Sequence, residues 1–179
     1  MPRVPYPDLE QAPPSYRALL ESRKPLNLYR MLAHAGPAAE GFLALGGALL
    51  RKGALDPKLR ELAIIRVGVL SGASYEVHQH RRLARSIGLP DEKIDAIATG
   101  AGAAPFDELE NLVLEFTDTV VNEVKAPDAL FEKVLAHLDH RRMAELVMTI
   151  GFYMLVSRFL ENFEVEIESP EVGTTQAAG

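Results

Sequence analysis

Apolar residues recur at helical spacing along most of the chain. The pattern begins at "SYRALLESR", near residue 15, and continues to Phe163, whereas the alternation typical of strands is nearly absent. Glycine and proline cluster at intervals and divide this pattern into segments of helical length, at 34–37, 52–57, 70–72, 88–90, 99–105 and 125–128. The sequence therefore predicts an all-α fold.

Two of these helices can be placed closely. In "DPKLRELAIIRVGVL", Asp56 can accept hydrogen bonds from first-turn amides and Pro57 suits the first helical position, so a helix is predicted over 56–70. It is apolar nearly all round, which is typical of a buried helix. The longest helix is predicted in "DHRRMAELVMTIGFYMLVSRFLENF". Its apolar run, Glu145 to Arg158, is shorter than the roughly 20 residues that span a bilayer, so we expect a buried helix or a subunit contact and no membrane partner.

Length and composition indicate one helical domain. The chain has 179 residues, of which 47% are apolar and 25% charged, as in ordinary globular proteins. We expect an extended, proline-rich arm over 1–14, the helical domain over 15–164 and an acidic tail over 165–179. A net charge of −6 with scattered lysine and arginine argues against nucleic acid as a partner. The first residues carry no apolar stretch, so a cytoplasmic location is expected.

The chain contains no cysteine. Disulfides, thiolate metal sites and any thiol nucleophile are therefore excluded.

Polar groups that suit acid/base chemistry concentrate in "SGASYEVHQH", residues 71–80. Glu76 is predicted to lie in the first turn of a helix that runs to about residue 86, and His80 follows one turn later on the same face. Their side chains can share a hydrogen bond that orients the imidazole. Glu61, in the buried helix, is either a desolvated carboxylate with a raised pKa or is paired with a neighbouring arginine. His80, Glu76 and Glu61 are the candidate catalytic residues.

Candidate substrate contacts lie around these three residues. Tyr75 is predicted either to donate its phenolic proton to a ligand or to pack between helices. Arg66 is predicted either to anchor a substrate carboxylate or to be a surface or glutamate-paired arginine. Ser71, at the end of the preceding helix, is grouped with them. No metal site is expected, because "EVHQH" lacks the two-histidine spacing of H-E-x-x-H.

Taken together, these residues resemble the carboxymuconolactone decarboxylase family, which includes the alkylhydroperoxidase D-like proteins. The resemblance is carried by "LRELAIIRVGVLSGASYEVHQHRRLARSIGLP", residues 59–90, and extends through "LNLYRMLAHAGPAAEGFLALGGALL" upstream and "RRMAELVMTIGFYMLVSRFLENFEVE" downstream. It implies the helical alkylhydroperoxidase D-like fold, homo-oligomers such as trimers or hexamers, and a site near helix ends and subunit contacts.

The decarboxylase branch is more similar to this chain than the hydroperoxidase branch. The Cys-x-x-Cys of the hydroperoxidases falls on residues 73–76, where this chain has Ala-Ser-Tyr-Glu, so thiol peroxidase chemistry by that route is excluded. The decarboxylases have glutamate and histidine at the positions of Glu76 and His80. Val77 stands where their tryptophan is found, which puts the lactone substrate itself in question.

The resemblance and the residues together predict a cofactor-independent lyase that acts on a small organic acid or lactone. In this interpretation His80 is the general acid/base, Glu76 orients it, and Glu61 is a second proton carrier or holds the imidazolium. Two alternatives remain: a non-catalytic oligomer that binds a ligand or partner protein, and a peroxidase-related protein, which the absence of cysteine contradicts. Excess apolar surface in "LVMTIGFYMLV" and "LALGGALL" also predicts a homo-oligomer.

Overall fold

The computed structural model describes residues 1–21 and 23–168, and over these residues the fold is entirely helical, as predicted. Short 3-10 turns occur at Leu9–Gln11 and Ala33–Ala35. The α-helices of the described residues are α1 (Pro14–Glu21), α2 (Asn27–Leu32), α3 (Pro37–Arg51), α4 (Pro57–Leu70), α5 (Ser74–Ser86), α6 (Asp91–Ala96), α7 (Glu108–Glu123), α8 (Asp128–His137) and α9 (His140–Phe163).

Helix α4 is the centre of the fold. It packs against α5, α7 and α9, and every residue from Leu59 to Gly68 is buried. Its start is the predicted one: the Asp56 side chain accepts hydrogen bonds from the Lys58 and Leu59 amides at 2.8 and 3.2 Å. Because α4 is apolar on nearly every side, its few polar residues must find partners inside the protein.

A tight turn joins α4 to α5 and places the candidate residues. Gly72 has a φ of 66°, a conformation that glycine adopts without strain, and the Ala73 amide bonds to the Gly68 carbonyl at 2.8 Å. Helix α5 then begins at Ser74, so that Glu76 lies in its first turn, as predicted. Gly68 allows the two helices to meet closely, since a Cβ there would lie 2.9 Å from Val77 Cγ2.

Helix α9 is the longest helix of the described residues, and its range, His140–Phe163, is close to the predicted one. The run from Glu145 to Arg158 was expected to be too short to cross a membrane, but the whole helix of 24 residues is long and apolar enough by length and composition. Half of its most apolar window is nevertheless buried inside the protein, and core helices commonly pass this test. Met148 and Leu155 are about half exposed. They continue the apolar surface from which a homo-oligomer was predicted, and the assembly itself stays a prediction.

The two ends of the described chain lie against each other. The N-terminal arm, which contains the 3-10 turn Leu9–Gln11, packs near the end of α9: the Arg3 amide bonds to the Phe163 carbonyl at 3.1 Å, and Tyr6 accepts a hydrogen bond from the Glu166 amide at 3.3 Å. Residues 165–168, called the strap below, follow α9 outside any helix or strand, with Val165 buried. The predicted tail therefore begins as a packed segment, and its remainder, 169–179, lies outside the described residues.

Candidate active site

A cavity of about 90 Å³ lies between α2, α3, α5 and α9. In this measure a water molecule needs about 10–15 Å³, so the space suits a ligand of roughly six to nine non-hydrogen atoms. Its walls are mostly apolar, with Leu28, Phe42, Leu43, Phe152 and Val156 among them. A polar wall is formed by Tyr75, Glu76, Gln79, His80 and Tyr153.

The three predicted catalytic residues meet at this wall. The His80 Nδ1 atom lies 2.6 Å from Glu61 Oε2, and its Nε2 atom lies 2.9 Å from Glu76 Oε1. All three side chains are buried. His80 and Glu76 line the cavity, while Glu61 approaches the ring from the opposite side on α4. The imidazole is thus held between two carboxylates, only one of which faces the cavity.

This arrangement makes His80 an imidazolium at neutral pH. Burial alone would lower the pKa of His80, but the negative charges of Glu76 and Glu61 and their hydrogen bonds outweigh it and raise the pKa from 6.5 to about 10. Each ring nitrogen then carries a proton that points at a carboxylate. The group is therefore a proton donor at neutral pH, and it becomes a base only after it has given a proton away.

A second cation continues the row of charges. Arg60 is buried, and its Nε atom lies 3.6 Å from Glu61 Oε1. Neither atom has a hydrogen-bond partner among the described residues. The row thus contains four charges of alternating sign, from Arg60, Glu61, His80 and Glu76. Their net charge is zero, which lowers the cost of burying them.

Tyr153 is a member of the site that the sequence did not reveal. Its ring packs edge-on against the His80 ring, with centroids 4.9 Å apart. Burial first, and then the charges of Glu76 and Glu61, raise the pKa of Tyr153 well above its usual value. A neutral phenol therefore faces the cavity beside the imidazolium. The one available signal was a tyrosine within the otherwise apolar run "LVMTIGFYMLV".

Tyr75 lies in the cavity wall, but its hydroxyl is directed to the strap. It donates a hydrogen bond to Glu168 Oε1 at 2.5 Å, and burial together with this bond raises its pKa. Gln79, one turn along α5, donates to Glu168 Oε2 at 2.5 Å. Neither Gln79 nor Glu168 was predicted from the sequence, because Glu168 lies 89 positions from Gln79 and no short motif joins them.

Arg66 and Ser71 are not brought to the cavity. The Arg66 guanidinium binds Asp118 at 2.5 and 2.9 Å and also bonds to the carbonyls of Ile97 and Ala98, so it ties α4 to α7 and to the end of α6. The alternative reading of Arg66, a paired arginine, is the one that this geometry matches. Ser71 is the C-cap of α4. The arginines that do line the cavity are Arg23 and Arg51.

The described residues contain no group of three or more histidine, aspartate and glutamate side chains arranged to hold a metal ion. Both His80 nitrogens already face carboxylates, so the ring offers no free lone pair to a metal.

Part of the chain, including the candidate site, is similar in sequence to known proteins. Residues 36–119 match the carboxymuconolactone decarboxylase family. An uncharacterized protein of Bacillus subtilis, YdfG, is 24% identical over 103 residues, which cover 56% of this chain and 70% of that protein.

Solved structures show the same fold at low sequence identity. An uncharacterized peroxidase-related protein from Ralstonia eutropha, described as an alkylhydroperoxidase AhpD core, has a TM-score of 0.83 at 21% identity and covers 96% of this chain and 94% of its own. A peroxidase-related protein from a Silicibacter species has a TM-score of 0.78 at 16% identity, with 97% and 94% covered.

The matched region contains Glu61, Glu76 and His80, the three residues on which the resemblance was first based. Residues 36–119, a little under half of the chain, are thus similar to the carboxymuconolactone decarboxylase family, and this chain contains no cysteine.

Proposed function

We propose that the protein is a cofactor-independent acid/base lyase that acts on a small carboxylated lactone or keto acid, by decarboxylation or a related proton transfer. One observation carries the proposal: a buried imidazolium is held between two carboxylates at the wall of a mostly apolar cavity. A structural ion pair needs neither two carboxylates on one imidazole nor a cavity beside it.

The chemistry begins with the substrate carboxylate in an apolar environment. Weak solvation there favours loss of carbon dioxide, because the charge moves from the carboxylate into an enolate. The bond between the carboxylate carbon and its neighbour breaks, and its electron pair passes to the adjacent carbonyl. The enolate carbon then takes a proton from the His80–Glu76 pair, and solvent returns a proton to that pair.

Glu76 and Glu61 have different parts in this scheme. Glu76 faces the cavity and contacts Nε2, so it passes the proton between His80 and the substrate. Glu61, outside the cavity, holds Nδ1 and keeps the ring in position. Glu61 is therefore a positioning residue, whereas His80 and Glu76 are catalytic residues.

The experiment compares His80→Gln and Glu76→Gln with the native protein on a panel of carboxylated lactones and β-keto acids. Release of carbon dioxide is measured, together with uptake of deuterium at the α-carbon in heavy water. Each substitution should reduce turnover by about 10²- to 10⁴-fold, the range of one acid/base group.

The matched control is His78→Gln. His78 lies on the same helix and is exposed, so this substitution should leave turnover unchanged. Equal turnover by native protein and His80→Gln would refute the proposed role of His80.

A second candidate function, binding without catalysis, is supported by the two carboxylates that already face the His80 nitrogens. Because both nitrogens already face carboxylates and the strap binds at the cavity wall, a protein that binds a small acid without converting it has the same features. Binding of panel compounds without turnover by the native protein would favour this alternative. Peroxidase activity through a thiolate is excluded, since the chain contains no cysteine.

We also propose that the chain forms a homo-oligomer, such as a trimer or hexamer. The exposed apolar side chains Leu45, Val147, Met148 and Leu155 on α3 and α9 support this assembly. Light scattering tests it, and a monomer at micromolar concentration would contradict it.

A further inference from the structure

We propose that Glu168 occupies a carboxylate-binding site of the cavity wall, and that the carboxylate of a small organic acid binds there when the strap leaves. The site consists of the Tyr75 hydroxyl, the Gln79 side-chain amide and the Asn27 backbone amide. The class of ligand rests on the proposed function, whereas the site itself rests on the contacts of Glu168.

Three donors converge on this one carboxylate. Oε1 accepts from the Tyr75 hydroxyl and from the Asn27 amide, each at 2.5 Å, and Oε2 accepts from Gln79 Nε2 at 2.5 Å. The donors come from two helices, α2 and α5, and all of them are neutral. These donors bind both oxygens of one carboxylate. The carboxylate of a free organic acid has the same two acceptor oxygens and can accept the same hydrogen bonds.

The site opens onto the cavity that contains the imidazolium. Tyr75 and Gln79 both line this cavity, and so does Leu28, next to Asn27. Helix α5 carries two neighbouring pairs of residues, each with a spacing of four. Tyr75 and Gln79 form the first pair and bind a carboxylate. Glu76 and His80 form the second pair and share a proton. The carboxylate bound at the first pair is therefore an anchoring group that the reaction leaves intact, and the group that reacts lies in the apolar part of the cavity beside the second pair.

The strap is attached in a way that allows exchange. Residues 165–168 belong to no helix or strand, although the Val165 amide still bonds to the Leu160 carbonyl of α9 at 3.0 Å. Apart from Glu168, the strap is held by the buried Val165, the Tyr6 contact and a bond from Asn27 Nδ2 to the Glu166 carbonyl at 2.9 Å. A tethered carboxylate competes at an effective concentration of about millimolar or more, so removing it should expose the site to an external acid.

The experiment uses benzoate as the probe and benzamide as its neutral counterpart, in the full-length chain. Binding is measured by calorimetry for the native protein and for Glu168→Ala. Benzoate should bind at least tenfold tighter to Glu168→Ala, whereas benzamide affinity should change less than threefold. Glu166→Ala is the matched control, because the Glu166 side chain pairs with the N-terminal amino group and is not one of the groups bound by Tyr75 or Gln79. It should bind benzoate as the native protein does.

A second variant identifies the donors. Adding Tyr75→Phe to Glu168→Ala should cancel most of the gain in benzoate affinity. In the native protein, benzoate should shift the NMR signals of the Gln79 side-chain amide. Equal benzoate affinity in native protein and Glu168→Ala, or an equal gain for benzamide, overturns the proposal. Because these measurements need no turnover, binding that persists in His80→Gln separates this site from the proposed catalytic function.

Discussion

The state of His80 predicts a specific dependence of stability on pH. The folded protein raises its pKa from 6.5 to about 10, so the folded state retains this proton at a pH where the unfolded chain has lost it. The stabilisation is fully present below about pH 6.5 and is lost as the pH rises through about 10. At 1.36 kcal/mol for each pKa unit, the whole effect amounts to about 5 kcal/mol.

Part of this loss of stability falls in a pH range in which unfolding is easily measured. Between pH 7 and 9 the free energy of unfolding should decrease by about 2–3 kcal/mol because of His80 alone. Urea denaturation followed by far-ultraviolet circular dichroism measures it. Other groups contribute in both proteins, so the quantity to compare is the difference between the native protein and His80→Gln. The exposed-residue control, His78→Gln, should keep the native slope.

A direct titration of His80 in the native protein tests the same idea even if His80→Gln does not fold. Replacing His80 leaves Glu61 and Glu76 buried without their cation, and breaking a buried pair costs about 3–5 kcal/mol. Carbon-13 NMR of the native imidazole should then show a midpoint near 10. A midpoint near 6.5, or the same pH dependence in native protein and His80→Gln, would refute the description of His80 as a trapped imidazolium.

Three further predictions concern the scaffold of the site, each measured by urea denaturation. Gly68→Ala should cost about 1–3 kcal/mol, because the new Cβ would lie 2.9 Å from Val77 Cγ2, whereas Gly41→Ala, with open space around it, should stabilise the protein by up to about 1 kcal/mol. Equal effects would contradict this contact. Asp56→Ala should cost about 1 kcal/mol through loss of the α4 cap. Burial opposes ionisation of Glu145, but bonds from the Leu55 and Ala54 amides outweigh it and lower its pKa. Glu145 should therefore stabilise the protein above about pH 4.5 and lose this effect on acidification. Glu145→Gln should remove this dependence of stability on pH.

The helices and the meeting of Glu76 with His80 could be predicted because their signals are local. Asp56 and Pro57 define the start of α4, and the four-residue spacing of Glu76 and His80 places both on one face of α5. The partner role of Glu61 followed from a carboxylate in an apolar helix, which must be paired when buried. Residues that are close in sequence, or that burial forces to find a partner, can be placed together from the sequence, as Glu61, Glu76 and His80 are here.

The residues that were missed depend on long-range packing. Tyr153 reaches the imidazole from α9, and Glu168 reaches α5 from the strap, so neither forms a motif with residues 71–80. The sequence left Arg66 either as a ligand anchor or as a paired or surface arginine, because no local signal shows which neighbour its side chain meets. Five residues along an α-helix turn by about 140°, so Arg66 faces Asp118 on α7 while Glu61 faces α5.

This opposition of Glu61 and Arg66 determines the rotation of α4 about its own axis. A helix that is apolar on all sides buries nearly the same hydrophobic area at any rotation, so the hydrophobic effect alone barely distinguishes one angle from another. Only at the native angle does a carboxylate meet an imidazolium on one side while a guanidinium meets a carboxylate on the other. Buried charge therefore selects one orientation of the central helix, and the shape of the cavity follows from that selection.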